Sequence, residues 1–145
     1  MCGITGILNI NNSKKIDHSD NIKIKRMTEL LHKRGPDETG YFYNDDISFG
    51  HKRLKIIDLK SGQQPMTLRK DNYILIFNGE IYNYKELKNN LSFSNFKSTS
   101  DTETILEGYV EQGTSFFKKL RGIYSFAIID KRKGMKIILA RDPSG

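Results

Sequence analysis

The sequence predicts an α+β fold built on antiparallel sheets. Strand-like apolar segments come early and late in the 145 residues, and segments with helical periodicity are grouped between them. Near the end, GIYSFAIID and MKIILARD flank the turn KRKG, which is the pattern of two long buried strands joined as a hairpin. Because this order lacks the regular strand–helix alternation of parallel sheets, antiparallel pairing is expected.

The first half of the chain predicts three strands and one helix. The opening MCGITGILNI is strand-like, and the polar stretch NINNSKKIDHSDN predicts a surface loop. TGYFYND and ISFGHKRLKIID predict two more strands; in the second, apolar and polar residues alternate across Ile47, Phe49, Leu54 and Ile56. Between the first strand and TGYFYND, IKIKRMTELLHKR predicts a helix that ends before Gly35-Pro36 and whose apolar face comprises Ile24, Met27, Leu30 and Leu31.

The second half begins with NYILIFNGE, a continuous apolar run that predicts a buried strand entering a tight turn at Asn78-Gly79. NYKELKNNL suits a short helix. A longer helix is predicted over STSDTETILEGYVEQG, where Ser100 and Glu103 have the spacing of a capping box. Its apolar stripe consists of Ile105, Leu106, Tyr109 and Val110.

Composition and charge narrow the function classes. The single cysteine permits no internal disulfide, which suits a reducing cytoplasm. No stretch approaches the ~20 apolar residues of a membrane span, and the start lacks the features of a secretion signal. The net charge of +7 comes from scattered lysines, with Lys131-Arg132-Lys133 at a predicted hairpin tip. We therefore expect a cytoplasmic domain that binds neither nucleic acid nor membrane.

Cys2 is the first candidate catalytic residue. Removal of Met1 would leave one residue that carries both a thiol and a free α-amine. An α-amine with a pKa near ~8 and a thiol with a pKa near ~8.5 are well matched for proton transfer, so the residue would be a nucleophile with its own base. Gly3 would let other backbone approach the thiol closely. The alternative is that Cys2 is a small apolar residue at the start of a strand.

FNGEIYN suggests a second catalytic feature. The side-chain amide of Asn78 and the backbone N–H of Gly79 are the two donors that an oxyanion hole requires. Asn-Gly is also a common hairpin turn pair, which is the structural alternative. The flanking residues, however, indicate a strand followed by a helix rather than a hairpin.

Arg53 and Asp101 are candidate substrate-binding residues. An arginine in GHKRLKIID either lies on the polar face of a strand or clamps a carboxylate through its planar fork. Asp101, next to the predicted helix cap, either favours the helix dipole or pairs with an ammonium group. Together they would bind both ends of a free α-amino acid.

The remaining motifs predict a loop but no metal site. HKRGPDETG joins the first helix to the second strand through Arg34, Gly35, Pro36 and Asp37, a charged turn of the kind that also gates active sites. His18, His32 and His51 have no metal-ligand spacing with Cys2 or with one another. DLKSGQQP is not a phosphate-binding loop.

Taken in order, seven stretches resemble the class II glutamine amidotransferase domain of asparagine synthetases. They are MCGI, HKRGPDETG, HKRLKIIDLKSGQQP, FNGEIYNYKEL, STSDTETIL, LRGIYSFAIID and LARDPSG. The resemblance covers essentially the whole chain. The combination of RGPD with NGEIYN is specific to the asparagine-synthetase-type branch of these amidotransferases.

The resemblance implies an N-terminal nucleophile hydrolase fold, an αββα sandwich of two antiparallel sheets between helix layers. It implies hydrolysis of glutamine to glutamate and ammonia. Cys2 would be the nucleophile, with its own amine as base, and Asn78 and Gly79 would form the oxyanion hole. The other implied site residues are Arg53 for the α-carboxylate, Asp101 for the α-amino group, Leu54, Lys55, Ile56, Ile57 and Glu80 around the pocket, and Arg34 to Asp37 at its mouth.

In this family further strands complete the amidotransferase domain, and an ATP-pyrophosphatase synthetase domain accepts the ammonia. The resemblance therefore implies that residues 1–145 are an amidotransferase domain incomplete at its C-terminal end. No cofactor is expected in it, with ATP and Mg²⁺ confined to the synthetase domain, and a homodimer is left open. The alternatives are an amidotransferase that serves another acceptor, such as a sugar or β-lactam precursor, and a non-catalytic fragment.

Overall fold

The computed structural model describes residues 1–9 and 14–144, which divide into two compact units. The N-terminal unit comprises the described residues of Met1–Lys55 together with Gln63–Pro65. The C-terminal unit comprises the described residues of Ile56–Gly62 and Met66–Gly145. The predicted surface loop after the first strand includes residues 10–13, which lie outside the described residues.

The N-terminal unit is a three-stranded antiparallel sheet with one helix. Its elements are β1 (Gly3–Leu8), α1 (His18–Glu29), β2 (Glu38–Tyr43) and β3 (Ile47–Arg53). The strand order is β1-β3-β2, so β3 is paired along both edges. Helix α1 packs against β1 and β3. The three predicted strands and the helix of this half are therefore confirmed.

The apolar face predicted for α1 is wrong in part. The helix begins earlier than predicted, and its buried residues are Ile24 and Thr28, whereas Met27 is 42% exposed and Leu30, just past the helix end, is 85% exposed. The Thr28 hydroxyl donates to the Ile24 carbonyl and lies 2.8 Å from the Thr5 hydroxyl. A threonine with its hydroxyl satisfied can pack closely against Gly50, where a Cβ would lie 2.0 Å from Thr28 Oγ1.

Strand β3 also differs from its predicted pattern. It ends at Arg53, so Leu54 and Ile56 lie outside it, and Ile56 is 59% exposed. All seven residues of the strand are buried, without alternation. Polar side chains are tolerated here because they are paired: Lys52 contacts Glu29, and Arg53 contacts Glu38.

The C-terminal unit is a four-stranded antiparallel sheet with helices. Its strands are β4 (Met66–Leu68), β5 (Tyr73–Ile81), β6 (Gly122–Asp130) and β7 (Lys136–Arg141), in the order β4-β5-β6-β7. Its helices are α2 (Tyr84–Asn89), α3 (Asp101–Gln112) and the 3₁₀ helix Gly113–Lys119. The predicted β6–β7 hairpin and both predicted helices are confirmed.

The hydrophobic core of this unit lies between α3 and one face of strands β5 and β6. Its members are apolar residues with at most 9% exposure, among them Leu75, Phe77, Ile105, Leu106, Tyr109, Phe116, Phe126 and Ile128. The apolar stripe predicted for α3 is confirmed. The predicted capping box is half formed, since Ser100 Oγ accepts from the Glu103 N–H while the Glu103 carboxylate accepts from the N–H groups of Lys97 and Ser98.

The tight turn predicted at Asn78-Gly79 is absent from the described residues, because β5 continues to Ile81. Asn78 pairs with Ser125 and Gly79 with Tyr124 across the β5–β6 ladder. Gly79 has φ 151°, and a Cβ there would lie 2.2 Å from the Ile123 carbonyl oxygen. The glycine therefore serves the close approach of β6 rather than a turn.

The α+β class and the two antiparallel sheets are confirmed. The order of layers in a sandwich concerns both units together and stays a prediction. Among the described helices, none has the length and apolar character to span a membrane.

Candidate active site

The position of Cys2 follows from the pairing of β1 with β3. Gly3 is opposite Lys52 in the ladder, which places the residue before β1 beside the residues that follow β3. The Leu54 N–H donates to Cys2 Sγ at 3.4 Å, and Sγ lies 3.8 Å from the Leu54 carbonyl oxygen. The thiol of a half-buried cysteine at the second position is therefore held by backbone more than fifty residues later.

Gly3 has a different role from the predicted one. A Cβ at this position would lie 2.7 Å from Leu31 Cβ, so the glycine admits an apolar side chain rather than other backbone. This close packing joins the start of β1 to the residues that follow α1.

The Arg34–Asp37 loop binds both Cys2 and the segment after β3. Arg34 Nε donates to the Cys2 carbonyl oxygen at 3.0 Å. Asp37 donates its N–H to the Arg53 carbonyl at 3.1 Å and accepts from the Lys55 N–H at 2.8 Å. Gly35 lies so close to β3 that a Cβ would be 2.3 Å from the Lys52 carbonyl oxygen. These contacts fix residues 53–55 around the thiol.

Arg53 is the last residue of β3, and its side chain is only 5% exposed. Its Nη1 donates to Glu38 Oε2 at 2.9 Å, and Lys55 Nζ lies 3.6 Å from the same oxygen. A guanidinium has five N–H donors, and a bidentate clamp on a carboxylate uses two of them. Pairing with Glu38 is therefore compatible with the predicted role, and Glu38 is a site neighbour that the sequence patterns did not single out.

Asn78 lies in β5 and alternates with Phe77, so its side chain lies on the sheet face opposite the core shared with α3. Its Oδ1 is buried and has no hydrogen-bond partner among the described residues. An unsatisfied buried acceptor costs about 1–3 kcal/mol, and such a group is a candidate for a functional role. The unsatisfied atom is the carbonyl oxygen, whereas the predicted oxyanion-hole role would use the NH₂ group, so that role stays a prediction.

Asp101 begins α3 and is 5% exposed. Its Oδ2 accepts from the Ile81 N–H at 3.0 Å, and its Oδ1 accepts from the Thr102 N–H at 2.9 Å. Burial, with a smaller contribution from the nearby Glu80 charge, raises the pKa of this carboxyl to about 6 against the opposing effect of the two backbone N–H groups. A buried, poorly solvated carboxylate of this kind gains from a cationic partner.

The hydrogen bond from Ile81 to Asp101 brings together part of the predicted site. Ile81 is the last residue of β5, immediately after Gly79 and Glu80, so Asp101 lies at the end of the strand that carries Asn78. The N-terminal unit likewise brings together Cys2, Arg34, Asp37, Leu54 and Lys55. Ile56 and Ile57 belong to the C-terminal unit, in the segment Ile56–Gly62.

Sequence reasoning overlooked Asp58 in that segment. Its carboxylate accepts hydrogen bonds from the N–H groups of Lys60, Ser61 and Thr99. The signal was present in DLKSG, since aspartate followed by serine and glycine favours an Asx-type turn. Among the described residues, no group of three or more His, Cys, Asp or Glu side chains is arranged to hold a metal.

Comparison with known proteins identifies the family to which this chain belongs. The sequence model described as "glutamine amidotransferase domain" matches residues 1–145, so the chain belongs to the glutamine amidotransferase domain family. It is 41% identical over its whole length to asparagine synthetase [glutamine-hydrolyzing] 2 of Bacillus subtilis (strain 168). It is 37% identical to the glutamine-hydrolyzing asparagine synthetase of Sandersonia aurantiaca, and 35% identical to asparagine synthetase 1 of Arabidopsis thaliana.

The chain covers only part of these relatives. It spans 19% of the Bacillus subtilis protein, 27% of the Sandersonia protein and 24% of the Arabidopsis protein, while all 145 residues are aligned in each case. The resemblance to the amidotransferase domain of asparagine synthetases is thereby confirmed. The homologues are glutamine-hydrolysing asparagine synthetases, and the match to them is in their amidotransferase domain.

Proposed function

We propose that this chain hydrolyses glutamine to glutamate and ammonia, with Cys2 as nucleophile. The observation that carries the proposal is the placement of the only cysteine: its thiol is held by the backbone of Leu54 at the start of a chain that belongs to an amidotransferase family. The thiol and the α-amine of a processed Cys2 would belong to one residue, so proton transfer between them needs no third group.

In the first half of the reaction, the α-amine takes the thiol proton and the thiolate sulfur attacks the side-chain carbonyl carbon of glutamine. The oxyanion that forms would accept hydrogen bonds from the Asn78 amide and the Gly79 N–H. When the C–N bond breaks, the Cys2 ammonium returns the proton to the leaving nitrogen, which departs as ammonia. A thioester remains.

In the second half, the amine takes a proton from water while the hydroxide attacks the thioester carbon. The C–S bond then breaks, the sulfur regains a proton from the ammonium, and glutamate leaves. This sequence uses water as its only co-reactant and needs no metal or cofactor.

Substrate recognition would come from opposite charges at the two ends of the amino acid. Arg53 would bind the α-carboxylate through its fork, and Asp101 would pair with the α-ammonium. The backbone of Leu54, Lys55, Ile56 and Ile57, with Glu80, would complete the pocket, and Arg34 to Asp37 would line its mouth. The proposal requires all these groups to face one cleft with Cys2, which stays a prediction.

We further propose that the ammonia serves an ATP-pyrophosphatase synthetase domain that makes asparagine from aspartate. The names of the similar proteins support this acceptor. ATP and Mg²⁺ would bind in that domain, and the amidotransferase domain would need no cofactor. A cytoplasmic location and a homodimer remain proposals. A sugar or β-lactam precursor is the alternative acceptor. An assay for asparagine formation from aspartate and ammonia, on the protein with its synthetase domain, would distinguish the two acceptors.

The test of the hydrolase proposal is glutamate release by the purified chain and by Cys2→Ala. We expect glutamine hydrolysis by the wild type, loss of about 10³-fold or more in Cys2→Ala, and unchanged circular dichroism. Glutamine binding measured by calorimetry should persist in the variant, because the binding groups remain. Hydrolysis at the wild-type rate by Cys2→Ala would contradict the proposal.

A further inference from the structure

Asp58 lies in a segment outside the hydrophobic core of the C-terminal unit, yet its carboxylate makes several hydrogen bonds. Oδ1 accepts from the N–H groups of Lys60 at 3.2 Å and Ser61 at 2.7 Å, which closes a local turn. Oδ2 accepts from the Thr99 N–H at 2.6 Å, forty-one residues later. Oδ1 therefore bonds within the segment, whereas Oδ2 accepts both from the Ser61 hydroxyl at 3.0 Å and from Thr99 in another segment.

The residue bonded by Oδ2 leads directly to Asp101. Thr99 is followed by Ser100, which caps α3, and then by Asp101 as the first residue of the helix. The preceding residue Ser98 is also held, since its N–H and hydroxyl donate to Glu103, and its carbonyl accepts from Lys88 Nζ at 2.7 Å. Contacts from α2 and α3 hold the stretch 98–100, and Asp58 adds a further contact from the segment Ile56–Gly62.

The charge of Asp58 strengthens these bonds. Burial opposes ionisation, but hydrogen bonds from the backbone N–H groups and the side chains of Ser61 and Thr99 together outweigh it and lower the pKa of this carboxyl to about 2. Asp58 is therefore anionic throughout the pH range of an enzyme assay. Hydrogen bonds to an ionised acceptor are about twice as strong as neutral ones.

The backbone at Asp58 restricts which residues can replace it. Its φ of 52° lies in the left-handed region, which asparagine, aspartate and glycine adopt most readily. Asp58→Asn therefore suits the backbone and retains one oxygen. Depending on how the amide is oriented, that oxygen accepts either from the N–H groups of the turn or from the Thr99 N–H. The NH₂ group then faces the other donors.

We propose that Asp58 is a positioning residue for the group that binds the α-ammonium of the substrate. By holding Thr99, it fixes the entry into α3 and with it the Asp101 carboxylate, which in turn accepts from the Ile81 N–H at the end of β5. Because Asp58 directly follows Ile56 and Ile57, its hydrogen bond with Thr99 also connects these two residues to the start of α3. The inference rests on the proposed glutamine site and adds a residue to it that does not touch the substrate.

The test compares Asp58→Asn and Asp58→Gly with the matched control Asp71→Asn. Asp71 is also an aspartate with positive φ, 61°, but it is exposed in the β4–β5 turn. We expect Asp58→Gly to raise the KM for glutamine about tenfold, the size of one lost charge-assisted hydrogen bond, and Asp58→Asn, which keeps one oxygen, to raise it by less, with kcat within about twofold of wild type in both. Asp58→Gly removes both acceptors without straining the backbone, and Asp71→Asn should change neither constant.

A second measurement does not depend on activity. Amide hydrogen exchange followed by NMR should show faster exchange at Thr99 in Asp58→Gly, to a smaller extent in Asp58→Asn, and, because Asp101 shifts, faster exchange at Ile81 as well. Wild-type exchange at Ile81 would overturn the proposal, as would an unchanged KM or a fall in kcat as large as the rise in KM. If the wild type hydrolyses no glutamine, the proposed function fails, and the Ile81 exchange decides the link from Asp58 to Asp101 by itself.

Discussion

The two units hold their candidate site residues by different means. In the N-terminal unit, Cys2, Arg34, Asp37 and Lys55 lie in loops or next to strand ends, and hydrogen bonds to backbone connect them. In the C-terminal unit, Asn78 and Gly79 lie inside a strand whose other face is part of the hydrophobic core, and Asp101 begins a helix of the same core. The proposed nucleophile is therefore held by polar contacts, whereas Asn78, Gly79 and Asp101 are carried by elements packed in the hydrophobic core.

This difference has consequences for mutation. A change in the N-terminal unit removes a few directional bonds and is expected to alter the reaction while the fold persists. A change in β5 or α3 can disturb the core, so its variants need controls for stability. Four predictions follow this contrast, from the largest effect to the smallest.

The first prediction concerns Met1. An N-terminal extension that cannot be removed should abolish glutamine hydrolysis, a loss of about 10³-fold or more, because the nitrogen of Cys2 is then an amide without a basic lone pair. The extension would also fill the space that the substrate side chain must approach. Mass spectrometry of the purified chain, paired with glutamate release, measures processing and activity on the same sample.

The control for this extension is the circular dichroism spectrum, which should be unchanged. A chain that retains Met1 and hydrolyses glutamine at the full rate would show that the base is not the α-amine.

The second prediction concerns Asn78, which lies within strand β5. Asn78→Ala should lower kcat about 10²–10³-fold with a smaller change in KM, because the lost donor acts mainly on the developing oxyanion. Steady-state kinetics measure both constants. A rise in KM of the same size with unchanged kcat would instead assign Asn78 to ground-state binding. Urea unfolding of the variant separates this effect from damage to β5.

The third prediction uses the raised pKa of Asp101, about 6. Pairing with an ammonium requires the carboxylate, so glutamine affinity should be constant above about pH 7 and fall toward tenfold per pH unit well below pH 6. Calorimetry on Cys2→Ala measures it without turnover or thiol titration. Asp101→Asn should bind more weakly at pH 8 and lose the pH dependence near 6; a persistent dependence would assign the titration to another group.

The stability contribution of Asp101 should run in the opposite direction. Its folded-state pKa lies above the usual 3.8, so the folded chain binds more protons between about pH 4 and 6. Its favourable contribution to the free energy of unfolding is therefore present below pH 4 and lost as the pH rises through 6. Urea titrations of wild type and Asp101→Asn at pH 5 and pH 8 measure the difference.

The α+β class, the β6–β7 hairpin and the apolar stripe of α3 could be predicted from the sequence, because each depends on periodicity or turn chemistry within a short stretch. The sequence also singled out Cys2 and Asn78 as candidates from residue chemistry and local context. These inferences needed no knowledge of what lies opposite each residue.

Features that depend on a partner elsewhere in the chain could not be predicted from the local sequence. Thr28 rather than Leu30 is buried because Gly50 leaves room for it and Thr5 contacts its hydroxyl, and Arg53 is buried beside Glu38. Position 79 within β5 is a glycine because β6 approaches it too closely for a side chain. Asp58 reaches Thr99 across forty-one residues. Burial of a polar group is favourable only when its partner is in place, and that partner is fixed by the fold rather than by neighbouring sequence.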